Sequence, residues 1–323
     1  MAGYQPLKVA GMETGLVQSR ENFLLPADAY PVIENAFVWR ERIKRKQGFQ
    51  YLGRLQRNFT GLTGLGNSTA GATMIFPNIL NTLGFTQTNA SIVPGSIFIA
   101  AAGPGPDTFS FTDDGDGTFA VTGQGDATGS SINYSTGAVT LNFSPALVGG
   151  AQIFINIQYY PSLPLMGIRL RELDSVNIEE TIIFDQTYAY RYNGPLGLFE
   201  EFIPGTTWSG SDSDFFWSTN YWQTATAPFK KLFWVTNFFA SDPIRYTDGT
   251  NWTNFSPVIN AAGDLFTQCL AMLPFRGRLV VFNTIEAGGG VYYNRIRWSQ
   301  IGNPLLIDSW RDDIRGKGGF LDI

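Results

Sequence analysis

Paired carboxylates are the first residues in this chain whose types suggest chemistry: Glu179-Glu180, Glu200-Glu201, Asp212 with Asp214, and Asp312-Asp313. Two facing carboxyl groups can divide proton donation and acceptance between them, as in glycoside hydrolysis. Sequence neighbours on a strand point to opposite faces, so adjacency alone does not make such a site. The run Asp113-Asp114-Gly115-Asp116-Gly117 invites calcium. It lacks the alternating ligand spacing and the distant glutamate of a helix-flanked calcium loop. A tight hairpin between Phe111 and Phe119, with Asp-Gly supplying positive φ, is the expectation. Trp208, Trp217 and Trp222 stand near Asp212 and Asp214. Such a cluster suits a platform for sugar rings or the packed interior and subunit contact of a β blade.

Two absences narrow the chemistry further. The chain has no histidine and one cysteine, Cys269. That removes Ser-His-Asp and Cys-His catalysis, histidine-ligated metals, intrachain disulfides and cysteine-rich zinc sites. No Walker loop or dinucleotide fingerprint is present, and Gly288-Gly289-Gly290 reads as a hairpin apex. No catalytic residue, cofactor or metal ligand is expected, and the chain reads as a non-enzyme. No secretory signal opens it, and no apolar run approaches the ~18–20 residues that span a bilayer.

One basic stripe remains. Between Asn35 and Arg54, residues of two kinds alternate, and period two puts Arg40, Arg42, Lys44 and Lys46 on one strand face. This stripe is a candidate partner contact. It suits phosphate, an acidic partner surface, or a solvated face that discourages edge pairing. The net charge of −5 weighs against a grip on DNA.

The elements that position these residues read as strands. Aromatics make up 15% of 323 residues, with 36 Gly, 17 Pro and few helical patterns, so the fold class is all-β. Charged residues are also 15%, well below the usual quarter, which suggests a surface partly covered by neighbours in an assembly. The segment Lys231 to Pro257 shows the plan: a buried strand Leu232–Asn237, a connector, then Arg245-Tyr246 and a turn at Asp248-Gly249. Arg191-Tyr192 and Arg297-Trp298 repeat the arginine–aromatic–turn landmark, and Ile182–Asp185 and Leu279–Thr284 repeat the buried strand. Both landmarks recur at roughly 50 residues, the spacing of β-propeller blades. Trp234, Tyr246, Trp252 and Trp298 are expected in core and subunit packing.

Three regions follow. Residues 1–60 read as an extended arm, or a loosely ordered terminus, followed by a first blade hairpin. Residues 61–161 lack Arg and Lys, are rich in Gly, Thr, Ser, Asn and Ala, and carry short strands between turns. They read as an inserted immunoglobulin-like β-sandwich domain. Residues 162–323 carry the propeller-like blades of a partial or shared propeller. The final Arg315 to Ile323 reads as stopping in mid-pattern with no closing strand, so the blades are expected to continue beyond this chain.

Four stretches resemble tail proteins of short-tailed bacteriophages: AFVWRERIKRKQGFQYLGRL, GSSINYSTGAVTLNF, LFWVTNFFASDPIRYTDGTNWTNFSP and NRIRWSQIGNPLLIDSWRDDIRGKGGFLDI. The head-to-tail stabilization, or tail nozzle (muzzle), proteins of crAss-like phages are the nearest in look. The resemblance covers most of the chain, and its motifs are structural rather than catalytic. It implies a propeller-containing structural protein of the virion tail, assembled in the host cytoplasm. That protein would form a homo-oligomeric ring (a hexamer in related nozzles) below the portal, with other tail and adaptor proteins as partners. Genomic DNA would pass its lumen at ejection without sequence-specific binding. Relatives continue past the point corresponding to Ile323, and there is no family active site to carry over. Two alternatives stand beside this reading. One is a glycan-binding or depolymerase tail protein using Trp208, Trp217, Trp222, Asp212 and Asp214. The other is a DNA-binding module using the Arg40–Lys46 stripe.

Overall fold

The structure is a computed structural model. It describes the backbone of residues 15–16, 29–30, 36–39 and 42–45, and residues 52–323 apart from 62–64, 66, 86–89, 103–104, 174–178, 227–228 and 287–289. The chain divides into two units, Met1–Leu52 and Gly53–Ile323. In the first, β1 (Gly15–Leu16) pairs parallel with β2 (Ala29–Tyr30). The expected basic hairpin is β3 (Ala36–Trp39) against β4 (Arg42–Arg45), a two-stranded antiparallel sheet with Phe37 opposite Lys44 and Trp39 opposite Arg42.

The second unit is almost wholly strand. β5 (Leu55–Gly61) is followed by β6 (Gly71–Phe76), the one-turn helix α1 (Ile79–Thr82), β7 (Ser91–Ile92) and β8 (Phe98–Ala102). Then come β9 (Phe109–Asp113), β10 (Phe119–Gly123), β11 (Gly125–Asn133), β12 (Ala138–Leu147) and β13 (Gln152–Tyr160). One sheet runs β10-β9-β8-β13-β5 and a second runs β11-β12-β6. Their facing sides enclose one apolar core. Alternation explains it: Ile153, Ile155, Ile157 and Tyr159 of β13 are fully buried and Val139, Leu141 and Phe143 of β12 are buried, with Asn156, Gln158, Thr140 and Asn142 among the residues between them. β9 and β10 form the hairpin expected from Phe111 to Phe119.

Three antiparallel meanders follow in chain order. The first is β14 (Gly167–Glu172), β15 (Glu179–Phe184), β16 (Ala189–Asn193) and β17 (Leu198–Glu201). The second is β18 (Trp217–Gln223), β19 (Lys231–Thr236), β20 (Ile244–Thr247) and β21 (Thr253–Phe255). The third is β22 (Phe266–Phe275), β23 (Arg278–Glu286), β24 (Gly290–Trp298) and β25 (Gly319–Asp322). Each is a four-stranded run of neighbours, and β17 also pairs parallel with β5, joining the first meander to the larger two-sheet edge. The expectation that Arg315 to Ile323 holds no closing strand is corrected: β25 pairs with β24, Arg297 opposite Phe320. Its pattern was hidden because Gly316, Gly318 and Gly319 dilute the apolar signal of so short a strand.

The meanders stack face on face, and the central strands show why. In β19, Phe233 and Val235 pack back onto Ile182 and Phe184 of the first meander. Leu232 and Trp234, on the other face, pack forward with Leu279 and Val281 of the third. Such strands are apolar on both sides, so LFWV reads as an unbroken run rather than an alternating one. No helix among the described residues is long and apolar enough to cross a membrane.

Candidate functional site

The repeated arginines occupy corresponding strands. Arg191, Arg245 and Arg297 all lie on the third strand of their meander, opposite Ile182, Val235 and Val281 of the second. Two of them are buried organisers. Arg297 grips Glu286 with Nε to Oε1 at 3.1 Å and Nη2 to Oε2 at 3.0 Å, and its Nη1 donates to Asp312 at 3.1 Å. Arg245 donates to the Thr207 carbonyl at 2.7 Å and to Asn254 at 3.2 Å while lying over the Trp208 ring. Burial pulls its pKa below the ordinary guanidinium value. Arg191 differs. It sits next to Tyr190, which is buried on the leading face, so it points forward into a cleft with Arg171, Glu180 and Asp248. It is about half exposed and lies 3.5 Å from Glu180.

Six of the eight paired carboxylates are tied into hydrogen bonds or ion pairs. Glu180 meets Arg171 at 2.6 Å, and Glu201 accepts from Arg57 at 3.0 Å. Glu200 accepts from Asn193, Asp312 from Arg297 and Asp313 from Arg311. Asp214 Oδ2 accepts from the amide and hydroxyl of Ser211, both at 2.7 Å, which makes it a turn residue. Asp113 likewise closes its loop, accepting from Gly95, Gly115 and the Tyr134 hydroxyl. Burial and that carboxylate push the Tyr134 pKa up to about 12. Among the described residues, no group of three or more His, Cys, Asp or Glu is placed to hold a metal ion. Cys269 is fully buried, and burial raises its thiol pKa.

The aromatics divide between core and surface. Trp234 is fully buried against Tyr246 and Phe255, with ring centroids 4.9 and 5.0 Å away, and its Nε1 donates to the Tyr221 carbonyl at 2.8 Å. Trp252 packs edge-on to Phe202 and Trp208, and its buried Nε1 has no partner. Trp298 is half-buried on the face of the third meander that points away from the second. Trp208 is buried beside Phe184 and Phe216, while Trp217 and Trp222 stay partly exposed at opposite ends of β18. These three tryptophans therefore do not form one platform with Asp212 and Asp214. Of the basic stripe, Arg42 and Lys44 occupy alternate positions of β4; Arg40 and Lys46 lie outside the described residues.

What the sequence reading missed is a pair of exposed apolar surfaces. Leu273, Phe275, Phe282, Ile296, Trp298 and Leu321 line a cleft of about 520 Å³ on the outward face of the third meander. Leu165, Ile168, Phe215, Trp217 and Leu270 line a second, of about 750 Å³, where the first strands of the meanders meet. Those first strands are bonded side by side: Asn220 of β18 exchanges hydrogen bonds with the backbone of Leu170 and Glu172, and Trp217 Nε1 donates to the Met272 carbonyl at 2.6 Å. A signal for the second surface was present. Ile168 and Leu170 alternate with Arg169 and Arg171, so β14 turns one face apolar and the other cationic. Two clustered apolar surfaces of this kind are what interaction sites present. No protein-family model and no curated protein matches the chain.

Proposed function

We propose that the chain is a structural protein of a phage tail whose meanders are β-propeller blades in a ring around the DNA exit channel. The observation that carries this reading is the stack itself. Three successive four-stranded meanders pack face on face with their first strands adjacent, as blades do around a propeller hub. The two-sheet region of residues 61–161 is then an inserted immunoglobulin-like sandwich on the first blade. Its partners are further copies of itself and neighbouring tail and adaptor proteins, in a virion assembled in the host cytoplasm. The work is mechanical and electrostatic: stiff β walls hold a conduit, and a net charge of −5 lets DNA pass without gripping it.

Electron microscopy of purified or virion-extracted protein tests this. Rings with rotational symmetry around an open lumen are expected. A stable monomer at high concentration, with no ring in the particle, sinks the reading.

A further inference from the structure

The stack of meanders ends on an uncovered apolar face and begins on a face that is exposed along its first strand. At its end, the third meander turns Phe282, Ile296, Trp298 and Leu321 away from the second; Leu321 is 54% exposed, and neighbouring Phe275 is 56% exposed. At its beginning, β14 of the first meander carries Ile168 and Leu170 on the leading face, 55% and 53% exposed, while Ile183, Tyr190 and Phe199 on the other strands of that face are already buried. Within the chain, a trailing face already meets a leading face twice, once at Phe184 with Phe233 and once at Trp234 with the Met272 and Val281 side. Both contacts are apolar at the centre. At the rim of the uncovered trailing face, Arg278 is turned onto its own chain, donating to the Ser299 and Lys317 carbonyls, which leaves the middle of that face apolar.

We propose that the trailing face of the third meander in one copy docks on the leading face of the first meander in a second copy, so that the stack continues from chain to chain. This rests on the ring reading and names its subunit contact. Two different patches on one chain are what a head-to-tail interface needs, and such an interface closes into a ring when its rotation divides a full turn. Pairing two third meanders with each other would leave Ile168 and Leu170 in water. The repeated geometry within the chain favours the head-to-tail contact, because it reuses a face pair that this sequence already packs.

Two variants of the full chain test it: Phe275→Asp with Leu321→Asp on the trailing face, and Ile168→Asp with Leu170→Asp on the leading face. All four side chains are more than half exposed, so folding should survive, as far-UV circular dichroism checks. In analytical ultracentrifugation, wild type is expected to self-associate and each variant alone to sediment as a monomer. The apparent dissociation constant should rise by about a hundredfold or more. An equal mixture should form a dimer and stop there, because each variant keeps one working patch. A mixture that stays monomeric, a variant that associates like wild type, or a wild type that stays monomeric overturns the proposal. Rings that persist in both variants would leave the ring reading standing and sink this contact alone. A second readout does not depend on tolerating charge. Phe275→Cys and Ile168→Cys chains, both altered on first strands, mixed with a short bismaleimide, should cross-link to each other, since Cys269 is fully buried. Absence of that cross-link counts against the contact.

Discussion

At the residue scale, the buried ionic cluster of the third meander carries a large and testable energy. Arg297 and Glu286 side chains are 2% and 6% exposed, and Glu286 also accepts from Arg295 and Thr284. Replacing Glu286 leaves the buried Arg297 with Asp312 as its remaining carboxylate partner. Glu286→Gln is therefore expected to lower unfolding free energy by about 1.5–3 kcal/mol in urea titration. Arg191→Ala, at a half-exposed pair, should cost about 1 kcal/mol or less. Equal losses would show that burial does not distinguish the repeated arginines. Asp185 makes a pH prediction. It is fully buried, accepting from the Thr187 and Tyr188 amides and from the Tyr190 hydroxyl, and burial raises its pKa. The folded chain thus holds this proton more tightly than the unfolded chain. Stability from this group is present below the ordinary Asp value of about 3.9 and is lost as pH rises through the raised folded value. Asp185→Asn should flatten that part of the pH–stability curve, because its amide oxygen still accepts from the two backbone amides.

At the element scale, β25 depends on close approach. A Cβ on Gly318 would lie 2.6 Å from the Trp310 carbonyl carbon and 2.7 Å from the Trp298 oxygen, both of them backbone. Gly318→Ala should therefore push β25 off β24, seen as faster amide exchange over Gly319 to Asp322 with the second meander unchanged. Acid should loosen the same strand. Arg295 hydrogen bonds hold the Asp322 pKa below its ordinary value, so the tie is present above that value and lost as pH falls through the lowered one. Thr236 tests the joint between meanders: its hydroxyl donates to the Cys269 carbonyl at 2.7 Å. Thr236→Val removes that buried hydrogen bond and should cost about 0.5–1.5 kcal/mol in thermal or urea unfolding.

At the scale of the whole molecule, stacking makes the second unit cooperative. Trp234 sits on the face of β19 that packs on the third meander, while Phe233 and Val235 pack on the first. Trp234→Ala should cost about 3–5 kcal/mol and loosen the second and third meanders together. Local loosening confined to β19 would argue that the meanders fold independently. The proposed head-to-tail contact would bury the apolar surfaces of the first and third meanders, and microscopy and the complementary variants test the ring and that contact separately.

The sequence by itself determined the strand content, the hairpin at Asp113–Gly117, the buried second strands and the roughly 50-residue recurrence that marks three meanders. These follow from periodicity and turn chemistry, which are local. Trp234, in the unbroken apolar run LFWV, is fully buried, because a strand apolar on both faces is covered on both. Which face each residue takes was decided only by the tertiary structure. A one-residue change of phase turns Arg191 forward where Arg245 and Arg297 turn back, and spacing alone does not carry that parity. Likewise, spacing left Trp208 open between a sugar platform and a packed blade interior, and Phe184 and Phe216 enclose it. The exposed pair of surfaces at Ile168 and Leu321 emerged only once the stack had two ends, because a face is uncovered only with respect to its neighbours.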